Sequence, residues 1–121
     1  RRRVSNEDAL WRALEPLGFR RVFLETLSWP EQIALFRRVR VIVAPHGAGL
    51  ANLVFCEPGT RVVEFFNRRY VNPCFWRLAS IVQADYRPVL AAGEQPLAEH
   101  LEANREAIEA DIGGVLRALE G

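Results

Sequence analysis

The run Val41-Ile42-Val43-Ala44 is apolar at every position and opens directly onto Pro45-His46-Gly47-Ala48-Gly49. A strand that alternates faces can stay half-exposed, but an unbroken apolar strand needs cover on both sides. That requirement points to a parallel sheet held between layers of helices. Arg61 to Phe65 repeats the apolar pattern, and Tyr86 to Leu90 is a further short candidate strand.

Helical periodicity fills the intervals. Leu10, Ala13, Leu14 and Leu17 follow the i, i+3, i+4, i+7 rule, with Ser5 or Asn6 available as a cap and Gly18 as a left-handed stop, so a helix is expected over about 6 to 17. Arg20 to Leu24 is a short β-type run, and Ser28-Trp29-Pro30-Glu31 then forms a capping box that starts a second helix ending near Arg38, with Trp29, Ile33 and Phe36 on its buried face. A short helix is expected from the glycines near 47 and another over about 72 to 83, carrying Phe75, Leu78, Ala79 and Val82 on one face. A last helix over about 97 to 119 would carry Ile108, Ile112, Val115 and Leu119 as a stripe, weakened by Gly113-Gly114. The fold class is α/β, a Rossmann-like doubly wound parallel sheet in one domain over 1–121, and because such domains usually open with a strand, a first strand is expected upstream of residue 1.

Composition removes several chemistries. All 16 basic residues are Arg, so phosphate loops ending in Gly-Lys, pyridoxal Schiff bases and lysine aldolase chemistry lack their amine. Cys56 and Cys74 form no Cys-x-x-Cys pair and, with His46 and His100, match no zinc spacing; they read as buried thiols. No Asp-x-Asp occurs, so a metal-bridged pyrophosphate has no obvious ligand, and no metal is expected. No apolar run reaches the ~20 residues that span a bilayer. Residues 1 to 90 hold 14 Arg against 8 acids and residues 91 to 121 hold 2 against 7. The scattered Arg read as solvated faces with a local anion site rather than a nucleic-acid groove.

That anion site has an obvious place. At the carboxyl end of a parallel strand the next helix aims its first N–H groups, and roughly half a positive charge, into the crevice where open α/β sheets bind ligands. Gly47, Ala48 and Gly49 carry almost no side chain, so their amides can approach anionic oxygens closely. His46, just after Pro45, is placed to face the crevice as a hydrogen-bond donor. Tight packing would demand the same small residues, and a capping histidine would sit in the same place. Glu64 interrupts Val62-Val63-Glu64-Phe65-Phe66, where a lone buried carboxylate is costly. Vicinal ribose hydroxyls or a salt bridge to an Arg would each satisfy it.

Five fragments together are recognisable: Arg-x-x-x-Asn-Glu (Arg2 to Glu7), Leu-Gly-Phe (17 to 19), Glu-Thr-Leu-Ser-x-x-Glu-Gln-Ile-x-Leu-Phe (25 to 36), His-Gly-Ala-Gly-Leu-x-Asn-x-x-Phe (46 to 55) and Gly-Thr-x-Val-x-Glu (59 to 64). In that order they resemble the C-terminal, donor-binding part of glycosyltransferase family 61, over about residues 2 to 88. The resemblance implies half of a GT-B arrangement, in which a second, N-terminal Rossmann-like domain presents a glycan or protein acceptor and, with it, the catalytic base. It implies a nucleotide-diphosphate sugar, a UDP-sugar, as donor substrate rather than any cofactor. His46 and the amides at 47 to 49 would hold the diphosphate, Asn52 would support the turn, and Glu64 would receive the ribose. Arg2 and Asn6 would complete the phosphate pocket, with Ser28 and Gln32 near the base or the sugar. The expected protein is an inverting, metal-independent transferase of polysaccharide biosynthesis, cytoplasmic and bacterial, at or near the inner face of the membrane.

Two other readings compete. One is a degenerate Rossmann-like module that serves binding or assembly through its last helix without catalysis. The other is a phosphoryl-transfer enzyme with His46 as nucleophile, which would need an acid partner beside the imidazole.

Overall fold

The computed structural model describes residues 4–67, 73–90 and 108–121. Its sheet has three parallel strands in the order β1 (Val41–Pro45), β2 (Arg61–Phe66) and β3 (Asp85–Leu90). Register sets Ala44 opposite Glu64 and Glu64 opposite Pro88. Since paired residues in neighbouring strands share a face, the even-numbered positions of all three strands point one way and the odd-numbered the other.

The odd face carries Val63, Phe65 and Val89 against Leu10 and Leu14 of α1 (Glu7–Leu14) and Val115 of α4 (Ile112–Ala118). On the even face Val62, with Ile42, Ala44 and Tyr86 beside it, packs on Phe36 of α2 (Trp29–Arg38), Leu50 and Leu53 of a 3-10 helix at Ala48–Phe55, and Ala79 of α3 (Cys74–Ile81). Helices therefore cover both faces of an all-parallel sheet, as the unbroken apolar strands required.

Local chemistry sets the helix ends. Gly18 at φ 92° closes the 3-10 turn Glu15–Leu17 that follows α1. Ser28 caps α2 in a complete capping box: its hydroxyl accepts from the Glu31 amide at 3.3 Å and the Glu31 carboxylate accepts from the Ser28 amide at 2.9 Å. The bond from the Ser28 amide, and after it the Ser28 hydroxyl, hold the Glu31 carboxyl below its ordinary range.

Several expectations are corrected. Arg20–Leu24 is no strand; Leu24–Thr26 is a 3-10 turn, because β-type residues make a strand only beside another strand and none of the described ones lies there. Trp29 is 60% exposed and meets Phe55 edge-on at 5.9 Å, outside the buried stripe formed by Phe36 and its neighbours. The helix after Gly47 is 3-10 rather than α. Cys56 is buried as expected, but Cys74 is exposed at the first position of α3.

The last helix is shorter than its stripe suggested. Ile108 forms a parallel bridge with Val4, and the helix starts only at Ile112, capped by Asp111, whose carboxylate accepts from the Gly114 amide at 3.1 Å. The earlier part of the expected helix, 97 to 107, lies outside the described residues, as does His100. A β-carbon on Gly114 would stand 2.5 Å from Asp111 Oδ2 and 2.9 Å from Val89 Cγ1, so glycine there lets α4 settle on β3. Asn6 does not cap α1; it donates to the Ala110 carbonyl at 2.9 Å and accepts from the Ala110 amide at 2.8 Å. Arg61 donates to the carbonyls of Leu119 and Gly121, both at 2.9 Å, so part of the basic body is used to fasten the acidic tail.

Candidate functional site

The His46 amide donates to Phe65 O at 2.9 Å, which carries the β1–β2 ladder one residue past Pro45 and fixes where the imidazole leaves the sheet. By the parity of the register its side chain falls on the even face, with Glu64 and Phe66 of β2 and Tyr86 of β3. His46 Nδ1 lies 2.7 Å from Glu64 Oε2, and the Tyr86 hydroxyl donates to Glu64 Oε1. The ring stacks on Phe66 (centroids 5.3 Å apart, 23° between planes) and tilts against Phe75 of α3 at 5.2 Å.

This placement revises two expectations. His46, expected to face the crevice, is 7% exposed and turned inward between two phenyl rings. Glu64 is 0% exposed, and both of its oxygens engage protein side chains. A carboxylate with no access to solvent must find donors within the core, and the histidine and the tyrosine supply them. Burial pushes the Glu64 carboxyl above its ordinary range, while the bonds from Tyr86 and His46 pull it back. Burial first, and then the bond to Glu64, push the Tyr86 phenol well up, so it stays protonated and donates.

The turn itself separates its two glycines. Gly47 is extended (φ 175°, ψ 166°), a shape open to any residue, and among the described residues a β-carbon there would meet nothing nearer than Pro45 O at 3.9 Å. A β-carbon on Gly49 would stand 2.7 Å from Leu24 Cδ1. Packing therefore explains Gly49, and no described neighbour gives Gly47 a steric reason. The first bond of the 3-10 helix runs from the Leu50 amide to Gly47 O at 3.1 Å, so the Ala48 and Gly49 amides come before any intrahelical acceptor.

Asn52, on the next turn of that helix, is buried and donates to Gln32 Oε1 at 2.9 Å. Gln32 Nε2 in turn reaches the carbonyls of Leu24 (3.0 Å) and Leu27 (3.3 Å). The pair ties the turn-bearing helix to α2 and to the chain before it. The Ser28 hydroxyl is engaged as the α2 cap and the Asn6 amide with Ala110, while Arg2 lies outside the described residues. Tyr86, Phe66 and Phe75 were missed by sequence reasoning. The even-odd parity of a parallel register would have put Tyr86 beside Glu64's face, had the pairing been known. Among the described residues no cluster of three metal-ligating side chains occurs, and no helix is long and apolar enough to cross a membrane.

The geometry defines an open parallel α/β unit whose first strand ends in a small-residue turn and a histidine held by a buried acid. The chain belongs to glycosyltransferase family 61: the family model described as Glycosyltransferase 61 matches residues 1–63. It is 34% identical over 89 residues to the EGF domain-specific O-linked N-acetylglucosamine transferase of Drosophila melanogaster, covering 71% of this chain and 17% of that protein. It is 25% identical over 99 residues to Beta-1,2-xylosyltransferase RCN11 of Oryza sativa subsp. japonica, covering 75% of this chain and 19% of that protein. The chain thus spans under a fifth of the length of these curated relatives.

Proposed function

We propose that this chain is the donor-binding part of a GT-B-type, inverting, metal-independent glycosyltransferase that transfers a sugar from a UDP-sugar to a glycan or protein acceptor held by another domain. The observation that carries the reading is the Gly47–Gly49 turn at the carboxyl end of β1: early amides that precede any intrahelical acceptor, and a glycine that no described neighbour requires, beside a histidine anchored at Nδ1. In the reaction the acceptor oxygen attacks the sugar's anomeric carbon and the bond to the diphosphate breaks. Negative charge grows on the departing oxygens, and the 48 and 49 amides, beside the His46 ring, are the groups suited to meet it. Donors already oriented are typically worth ~3 to 4 kcal/mol each in such a transition state. The names of the two relatives, both sugar transferases, support the reaction class, and the lack of any Asp-x-Asp supports metal independence. With Glu64 committed to His46 and Tyr86, its part is to hold the histidine rather than to meet a ribose directly. A cytoplasmic site of action goes with this reading.

Titrating UDP into the isotope-labelled chain tests it. Shifts confined to the amides from His46 to Asn52 are expected at millimolar ligand, and a spectrum unchanged there overturns the reading. The burial of His46 and the packing requirement at Gly49 favour a second reading, a non-catalytic assembly module. Light scattering that shows a stable oligomer indifferent to UDP would select it.

A further inference from the structure

Glu64 is a poor anchor for a histidine if it is neutral. A protonated carboxyl with its hydrogen on Oε2 would donate to Nδ1, forcing the imidazole into its Nε2–H form; an ionised carboxylate can only accept, so Nδ1 must then carry the proton. Burial works against the ionised form, since Glu64 is 0% exposed. What opposes it is the pair of donors at its two oxygens, and one of these, the Tyr86 hydroxyl on Oε1, belongs to a different strand from either His46 or Glu64. Tyr86 stands opposite Val62 in the register, one even-face position before the partner of Glu64, so the backbone of β3 fixes the direction of its ring.

We propose that Tyr86 is a positioning residue of this site: its hydroxyl keeps Glu64 accepting at Oε2, and so selects the Nδ1–H form of His46 in a ring plane fixed between Phe66 and Phe75. With the proton on Nδ1, the ring's lone pair lies at Nε2, and its direction is set by the sheet rather than by solvent. Among the described residues, the Tyr86 phenol and the Cys74 thiol are the other titratable groups electrostatically linked to the Glu64 carboxylate. The importance of this for diphosphate binding rests on the donor-binding reading; the tautomer selection does not.

The test uses the whole chain with ¹⁵N-labelled histidine, with His100→Asn to assign the two imidazoles, and compares wild type with Tyr86→Phe, which keeps the ring and removes only the hydroxyl. The wild-type His46 ring should report Nδ1–H. Tyr86→Phe should shift it toward Nε2–H with amide dispersion retained. An unchanged tautomer in Tyr86→Phe overturns the proposal. If that variant does not fold, the wild-type spectrum decides: a resolved, slowly exchanging Tyr86 hydroxyl proton with a cross-peak to the His46 ring supports it, and a missing one overturns it. Failure of the wild type to bind UDP defeats the donor-binding reading alone, because the tautomer still reports on Tyr86.

Discussion

Leu24 closes on Gly49 so tightly that its Cδ1 stands 2.7 Å from where a β-carbon would be, whereas two residues earlier the nearest described atom to a β-carbon on Gly47 is a carbonyl oxygen at 3.9 Å. The two glycines should therefore fail in different assays. Gly49→Ala forces Leu24 aside and should cost about 1 to 3 kcal/mol, as overpacking does. Gly47→Ala should leave the urea midpoint within about 0.5 kcal/mol of wild type. If the turn receives a diphosphate, Gly47→Ala should nevertheless weaken UDP binding measured by calorimetry. A Gly47→Ala protein that binds UDP normally would count against that role.

The Glu64 carboxyl gives a pH prediction with a definite sign. Its folded value is raised above the ordinary 4.5, so between those values the folded chain holds a proton that the unfolded chain has lost. Its contribution to stability is therefore full below about 4.5, falls as pH rises through the folded value, and is flat beyond, with a slope of at most about 1.4 kcal/mol per pH unit. Glu64→Gln cannot titrate. Subtracting its urea-derived stability from that of wild type across pH 4 to 8 should isolate the descent, and a difference that rises with pH would contradict the assignment.

At the start of α2 the capping box offers a simpler measurement. Ser28→Ala removes the acceptor of the Glu31 amide and should lower stability by about 1 kcal/mol. Ser28→Asp, which restores an acceptor at the same position, should recover most of it. Thermal melts of the three proteins suffice.

Gln32 links three partners at once, the carbonyls of Leu24 and Leu27 and the buried Asn52 amide. Gln32→Ala leaves the Asn52 amide without this acceptor and should cost about 1 to 3 kcal/mol, more than an exposed substitution would. Combining it with Asn52→Ala in a double-mutant cycle should reveal a coupling of about 0.5 kcal/mol or more, and strict additivity would show that the bond contributes nothing.

Much of this arrangement was legible in the residues. The unbroken apolar run at Val41 and the run after Arg61, interrupted only by Glu64, identified two parallel strands, the Ser28 box located the start of α2, and Gly18 took the left-handed stop expected of it. What the sequence hid was partnership. Arg20–Leu24 has the composition of a strand but, among the described residues, lacks a neighbouring ladder, and the stripe from Ile108 to Leu119 continues through a bridge and a cap rather than one helix. His46 and Glu64 were both identified, yet their mutual bond depends on the pairing of β1 with β2, and Tyr86 enters only through β3. Periodicity along one segment cannot reveal which segment lies beside it.

Because neighbouring residues on β2 point to opposite sides, this six-residue strand works as a dividing wall: Val63 and Phe65 belong to the helices at the two chain extremities, Glu64 and Phe66 to the histidine. Substitutions can accumulate behind that wall, remodelling the α1 and α4 side, without disturbing the imidazole. A lineage is thereby free to change what this unit leans on while keeping what it holds.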